Sequence, residues 1–219
     1  MNGVIKTAAV AGFVAMMAQG ASAASFNVDF EGLDANAGLG TLTIGSTVFS
    51  VSSPDGAGAN LFDTTDGSTS DLTGDSDIVP AVQGADGVGG NVLIIQSPSD
   101  GGGLANDFAG GGVITFELVS GPAVSFTGFS AIDDGTFTFA TSLDGDLGSL
   151  SLAENVTGST TFASSFLDAG DSFSITYSGS GAVDFLTVEA IPLPATLPLL
   201  LAGVGGIGYM SRRRKAKKA

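Results

Sequence analysis

Every Lys and Arg of this 219-residue chain lies near one of its ends: Lys6, then Arg212, Arg213, Arg214, Lys215, Lys217 and Lys218. All 22 acidic residues fall between them, so residues 24–190 carry a formal charge of −22 and can form no Lys- or Arg-based ion pair. A buried carboxylate without a partner is costly, and like charge on this scale opposes compaction. Any fold must therefore leave the carboxylates in water, on hydrogen-bond donors or on cations. The same feature removes function classes. Nucleic acid needs Lys or Arg against its phosphates, and residues 24–190 have none to offer. An anionic polymer or lipid surface is a poor direct partner unless divalent cations bridge the two.

The ends read as processing signals. Lys6 supplies the positive start, Thr7 to Ala18 is small and apolar, and Ala21-Ser22-Ala23 has the A-x-A form that signal peptidase accepts. Residues 1–23 are expected to be a signal peptide cut after Ala23. At the other end Leu193 to Met210 carries no charge before the basic cluster. Its eighteen residues would span roughly 27 Å as a helix, enough for a bilayer core, with the basic end held on the cytoplasmic side. Pro198 and the glycines at 203, 205, 206 and 208 weaken that helix, which suits a temporary anchor in the inner membrane.

Residues 24–190 show no helical period over ten or more residues. They show short alternating runs instead: 26–30, 42–44, 48–51, 113–118, 124–132, 136–141, 149–152, 160–166, 172–177 and 183–189. Val92 to Gln96 is apolar and β-branched, as a central strand is. Asp133-Asp134-Gly135 is expected to close a hairpin between 124–132 and 136–141, because Gly tolerates the φ > 0 of such turns. Asp168-Ala169-Gly170-Asp171 reads as a further turn. Residues 57–80 and 97–112 read as two long polar loops. About ten strands with Gly- and Asp-rich turns predict an all-β fold: a β-sandwich, specifically jelly-roll-like, with a β-solenoid as runner-up that lacks a sequence period.

Ile191-Pro192-Leu193-Pro194-Ala195, followed by a short apolar segment and Arg212-Arg213-Arg214-Lys215, resembles the PEP-CTERM class of sorting tails. It is closest to the V-P-L-P-A variant, with Ile191 in place of Val. The resemblance covers residues 191–219. It implies a Gram-negative host in which an exosortase-type membrane protease recognises Pro192 to Ala195 and removes the anchor. Proteins with such tails are typically associated with exopolysaccharide, biofilm matrix or the cell surface. Residues 24–190 also resemble extracellular jelly-roll domains, through Phe62-Asp63-Thr64-Thr65, Gly90 to Gln96 and Gly179 to Leu186.

Candidate chemistry is narrow. The domain has no His, no Cys and no Lys, which excludes the familiar nucleophile–base pairs, Schiff bases, P-loops and zinc sites. Paired carboxylates, the machinery of glycoside hydrolysis, remain, but nothing joins Glu117 to Glu189 in sequence, and an enzyme is not expected. Asp63, Asp66, Asp71, Asp75 and Asp77 place five carboxylates in fifteen residues beside a Gly turn, a supply of hard oxygen ligands for Ca²⁺, although the spacing is not that of an EF-hand. Asp133 and Asp134, with Asp29 or Asp184, form a second candidate group. The alternative reading of the acidic segment is a solvated loop with Asp-capped turns. Asn155-Val156-Thr157, a formal N-glycosylation sequon, reads as a surface turn.

These observations lead to an exported surface or extracellular-matrix protein of structural or interaction type. The alternative is a carbohydrate-binding module for exopolysaccharide. With no Trp, and Tyr177 the only Tyr in 24–190, sugar-stacking platforms there would have to come from its fourteen Phe residues. A calcium role predicts that millimolar Ca²⁺, but not Mg²⁺ or matched ionic strength, raises the melting temperature of residues 24–190 by several degrees. At 100 times Kd the stabilisation is about 2.7 kcal/mol, and excess chelator reverses it.

Overall fold

The structure, a computed structural model, describes residues 24–64, 90–99, 104–133, 135–154 and 156–190. Among them are twelve strands and no helix: β1 (Ala24–Asp29), β2 (Thr41–Ile44), β3 (Thr47–Ser52), β4 (Ala59–Asp63), β5 (Asn91–Ile95), β6 (Gly112–Ser120), β7 (Val124–Ile132), β8 (Gly135–Thr141), β9 (Gly145–Leu152), β10 (Thr157–Thr161), β11 (Ser172–Ser178) and β12 (Ala182–Ala190). They form two six-stranded sheets. Sheet A has the order β10-β7-β12-β5-β4 with β1 also on β12, and sheet B the order β2-β3-β6-β11-β8-β9.

The last eight strands pair antiparallel as one long, doubled-over ribbon would. β8 pairs with β9, β7 with β10, β6 with β11 and β5 with β12. Rolling that ribbon sets β12 beside β7 and β11 beside β8, and its two halves become two facing sheets. This is the jelly roll, which the expected fold class named. β2 and β3 extend sheet B beyond β6, while β4 extends sheet A beyond β5.

Alternation supplies the core. β6 turns Ile114, Phe116 and Leu118 inward, β11 turns Phe173, Ile175 and Tyr177 inward, and β8 turns Phe137 and Phe139 inward. Phe126 and Phe129 of β7 meet them from sheet A. Phe126 stacks on Phe173 with ring centroids 4.3 Å apart and planes within 11°, and its edge meets Phe49 at 5.6 Å. Aromatic pairs of this kind add about 0.5–1.5 kcal/mol each beyond the area they bury. The Tyr177 hydroxyl crosses the sandwich to accept the Ile95 N–H at 3.0 Å. Burial pushes its phenol far above the ordinary value, against the lowering effect of that bond.

A second apolar cluster, including Phe62, Val92, Ile94, Ile132 and Ala182, lies on the other face of sheet A. β5 is therefore buried on both faces, as its unbroken apolar run implies.

Three expectations about local structure need correction. Asp133-Asp134-Gly135 does not close a hairpin, because β7 belongs to sheet A and β8 to sheet B. The segment is a corner between sheets. Asp133 is fully buried with φ 72°, and its N–H reaches the Val156 carbonyl at 2.9 Å. Residues that tolerate φ > 0 serve a corner as well as a two-residue turn, so sequence cannot separate the two. Secondly, the loop expected over 57–80 begins with a strand, β4, whose side chains do not alternate cleanly because Leu61 and Phe62 are both buried. Thirdly, β10 stops at Thr161. Residues 162–167 still follow β7, through Phe162 N–H to Thr127 O and reciprocal bonds between Val124 and Leu167, but without a continuous ladder.

Gly135 is the tightest point of the corner. Its φ is 131°, and a Cβ there would run into the Ser178 carbonyl oxygen. Gly135→Ala is expected to lower stability by about 1–3 kcal/mol in chemical denaturation, with an unchanged slope if the denatured state is unaffected.

Candidate functional site

The outer face of sheet A carries an open cleft of about 500 Å³, within the size range of small-ligand sites. Its floor is built from two neighbouring strands. Ser125 and Thr127 come from β7 and Thr187 and Glu189 from β12, with Glu189 directly opposite Ser125 in the register. Thr127 is an extra residue. Gly128 faces Thr187 and Phe126 faces Val188, so β7 bulges by one position there. A bulge bends the strand and re-aims a side chain, and here it leaves both Thr127 and Gly128 between the inward-facing Phe126 and Phe129. Gly128 keeps the floor low, since a Cβ there would come within 3.2 Å of the Thr187 hydroxyl.

Ser25 of β1 stands on one side of the cleft, where β1 is tied to β12 by Thr187 Oγ1 donating to Asn27 Oδ1 at 3.0 Å. The other side is Thr161 at the end of β10 and the segment after it, with Phe162, Ala163, Ser164 and Phe166. Phe162 roots this wall by stacking on Phe139 and Phe173 in the core. Ser164 Oγ lies 3.1 Å from Ser125 Oγ and donates to the Phe126 carbonyl at 2.8 Å. Phe166 remains 37% exposed. The cleft thus combines hydroxyls, one carboxylate and one accessible aromatic ring. Ser and Thr both donate and accept, and an ionised Glu accepts only.

Most Phe residues of the domain face its interior. Phe30, Phe49, Phe62, Phe116, Phe126, Phe129, Phe137, Phe139 and Phe173 are fully buried, whereas Phe26 and Phe166 are exposed. Glu189 sits in the cleft, whereas Glu117, which nothing in the sequence joins to it, is exposed on β6 of the other sheet. Sequence reasoning did not single out Ser125, Thr127, Ser164 or Thr187. The available signal was Ser125-Phe126-Thr127, where hydroxyls occupy the outward positions of a strand whose inward ones are aromatic.

Of the acidic segment, Asp63 closes β4 opposite Asn91 and is half-buried. Asp66, Asp71, Asp75 and Asp77 lie outside the described residues, as does Asp134. Asp133 and Asp184 are buried, the latter as the extra residue of a bulge in β12, and Asp29 is exposed. Among the described residues no three carboxylates come together as a metal-binding group. The candidate group of Asp133 and Asp134 with Asp29 or Asp184 includes Asp134, which lies outside the described residues. Ala21, Ala23, Asn155, Ile191, Pro192, Leu193, Pro194, Ala195 and the basic residues from Arg212 to Lys215 also fall outside the described residues.

The tail answers to sequence comparison instead. Residues 190–215 match the model of the PEP-CTERM protein-sorting motif, as the I-P-L-P-A resemblance implied. A comparison with curated proteins finds no match. Among solved structures, the C-terminal CBM6 of LamC, a marine laminarinase from Zobellia galactanivorans, aligns at 18% identity over 46% of this chain and 80% of that one, with a TM-score of 0.28. A carbohydrate-binding module of Cellvibrio mixtus lichenase 5A, in complex with cellotriose, aligns at 14% identity over 49% and 83%, with a TM-score of 0.29. These scores are too low to carry an argument, and the architecture rests on the strand pairing described above. The chain thus carries a PEP-CTERM sorting motif after a jelly-roll domain, and the motif marks it as an exported protein.

Proposed function

We propose that this protein is delivered to the bacterial surface or extracellular matrix and there binds a neutral polysaccharide in the cleft on sheet A. The observation that carries the reading is the composition of that cleft. Sugars offer hydroxyls that donate and accept, and C–H faces that pack on aromatic rings. Ser25, Thr127, Thr161 and Thr187 can match the former, Glu189 can accept from a pair of sugar hydroxyls, and Phe166 can supply the latter. An open cleft on a sheet suits a chain that runs through it rather than a small molecule that must be enclosed. The charge of −22 selects a neutral polymer, since an anionic one is repelled without divalent cations.

Binding without hydrolysis is the corresponding mechanism. Glycoside hydrolysis needs two carboxyl groups flanking the bond, and Glu189 is the only carboxylate among the described residues that line the cleft. In delivery, signal peptidase cuts after Ala23, and Leu193 to Met210 holds the chain in the inner membrane. An exosortase-type protease of a Gram-negative host then cuts near Pro192 to Ala195. The motif match over 190–215 and the basic residues that follow the apolar segment support this order of events.

Retention of the surface-released protein on immobilised polysaccharides tests the ligand. A neutral β-glucan is expected to retain it more strongly than an anionic polymer does. Phe166→Ala should weaken that retention roughly three- to tenfold, as the loss of one aromatic contact implies. Glu189→Gln should weaken it as well, and equal retention by both variants would overturn the reading. For the tail, intact-mass measurement of surface-associated protein is expected to show a chain lacking residues 196–219. A full-length C-terminus would make the tail a permanent anchor.

A further inference from the structure

The cleft wall is held from the opposite sheet. Asp144 lies in the turn between β8 and β9 of sheet B, yet its carboxylate accepts two bonds from the wall on sheet A. Ser165 N–H donates to Oδ2 and Ser165 Oγ–H to Oδ1, both at 2.6 Å. Thr141 Oγ1–H donates to Oδ2 at 3.1 Å, and the Asp144 N–H returns a bond to Thr141 Oγ1 at 2.8 Å, which fixes the carboxylate on its own hairpin. Ser165 lies between Ser164 and Phe166, two of the cleft-lining residues. Between Phe162 and Leu167 the wall has no continuous backbone ladder to β7. Its side-chain tethers there are the Ser164 hydroxyl, the Ser125 hydroxyl, which donates to the Ser164 carbonyl at 3.0 Å, and the Asp144 carboxylate.

We infer that Asp144 is a positioning residue for the cleft, a latch that sets the orientation of Phe166 by gripping Ser165 from the other sheet. This rests on the polysaccharide reading only for its consequence in binding; the grip on the wall stands by itself. Asp144 touches no ligand. Its two bonds to one residue, one to the backbone and one to the side chain, fix Ser165, the residue before Phe166, and so narrow the directions the ring can take. A ring already held in place loses less freedom when a sugar packs on it.

The carboxylate must be ionised to accept both bonds. The Ser165 side-chain and backbone bonds, with a smaller contribution from Thr141, hold its pKa below the ordinary aspartate range, against a slight opposing effect of burial. A folded-state pKa below the unfolded one means that the latch is complete above the unfolded value. It is lost as pH falls through the folded value. The charged groups on and beside its hairpin are acidic: Asp146 within it, and Asp171, which accepts from the Ser142 hydroxyl of that hairpin, with Asp168 in the same turn before β11. No Lys or Arg in residues 24–190 can substitute for the Ser165 donors.

The chain has no Trp, so Phe166→Trp in the full mature protein gives a single fluorescent reporter that keeps an aromatic ring in place. Its quenching by acrylamide should be low and flat from neutral pH down to the ordinary aspartate range, about 3.9, and rise only below it. Adding Asp144→Asn should raise quenching at neutral pH and abolish that step. It should also weaken retention on soluble neutral β-glucan roughly three- to tenfold. Ser165→Ala, which keeps the backbone bond, should give a smaller effect in the same direction and serves if Asp144→Asn does not fold. Identical quenching and pH profiles with and without Asp144→Asn would overturn the latch, whatever the glucan does. If the quenching differs but the parent protein binds no glucan, the latch stands and the polysaccharide reading falls.

Discussion

Residues 24–190 contain no Lys, Arg or His, so a carboxylate that leaves bulk water has to be met by N–H and O–H donors or by a metal ion. The domain meets this constraint by using acids as staples between distant parts of the chain. Asp55 Oδ2 accepts the Val113 N–H at 2.8 Å, across 58 residues, and Glu31 Oε1 accepts the Asn91 N–H at 2.9 Å, across 60. Asp107 Oδ2 accepts from the Ser180 hydroxyl and the Gly181 N–H. Asp171 accepts from Asp168 N–H and the Ser142 hydroxyl. Hydrogen bonds to ionised acceptors are about twice as strong as neutral ones. An all-acidic composition thus binds loop to strand without a salt bridge. The abundance of Ser, Thr and exposed backbone at turns supplies the donors.

This constraint also explains which parts of the fold were legible in sequence. Strands whose inward positions are aromatic and outward positions hydroxylic, such as 113–118, 136–141 and 172–177, declare their faces through period two, and they form the middle of sheet B. What sequence hid was which strands share a sheet. Asp133-Asp134-Gly135 has the residues of a hairpin, yet what makes it a corner is long-range: Asp133 N–H on Val156, and Gly135 against Ser178. β4 was hidden for a related reason. It is covered on both sides, and a strand buried on both faces has no alternation to read.

The cleft was illegible in a different way. Glu189 drew attention only as an acid, and Phe166 was one Phe among fourteen. Their association depends on a bulge at Thr127, on β12 lying next to β7, and on a wall that leaves the ladder after Thr161. None of these has a local signature, because a one-residue slip is set by the pairing of two strands and not by either alone. The latch shows the same limit. Asp144 and Ser165 are 21 residues apart and belong to different sheets, and in sequence each is an ordinary turn residue.

The two outer faces of the sandwich make clear why such a wall matters. On sheet B the outward residues of β6, β11, β8 and β9 run in cross-strand rows, with Thr115 beside Ser174, and Thr138 between Thr176 and Ser149. That face can hydrogen-bond, but each bond is traded against water and contributes only about 1 kcal/mol, with no aromatic surface to add to it. Sheet A has similar hydroxyls on its floor. It differs in having Phe166 beside them, presented on a segment that bends out of the sheet and is held there by Ser164 and Asp144. Apolar contact with a ring does not compete with water as a hydroxyl does, and the proposed preference for sugar rests on that difference. On that proposal, selectivity follows from the net charge of −22 on residues 24–190. A neutral, hydroxyl-bearing chain can approach so acidic a domain without opposing its field.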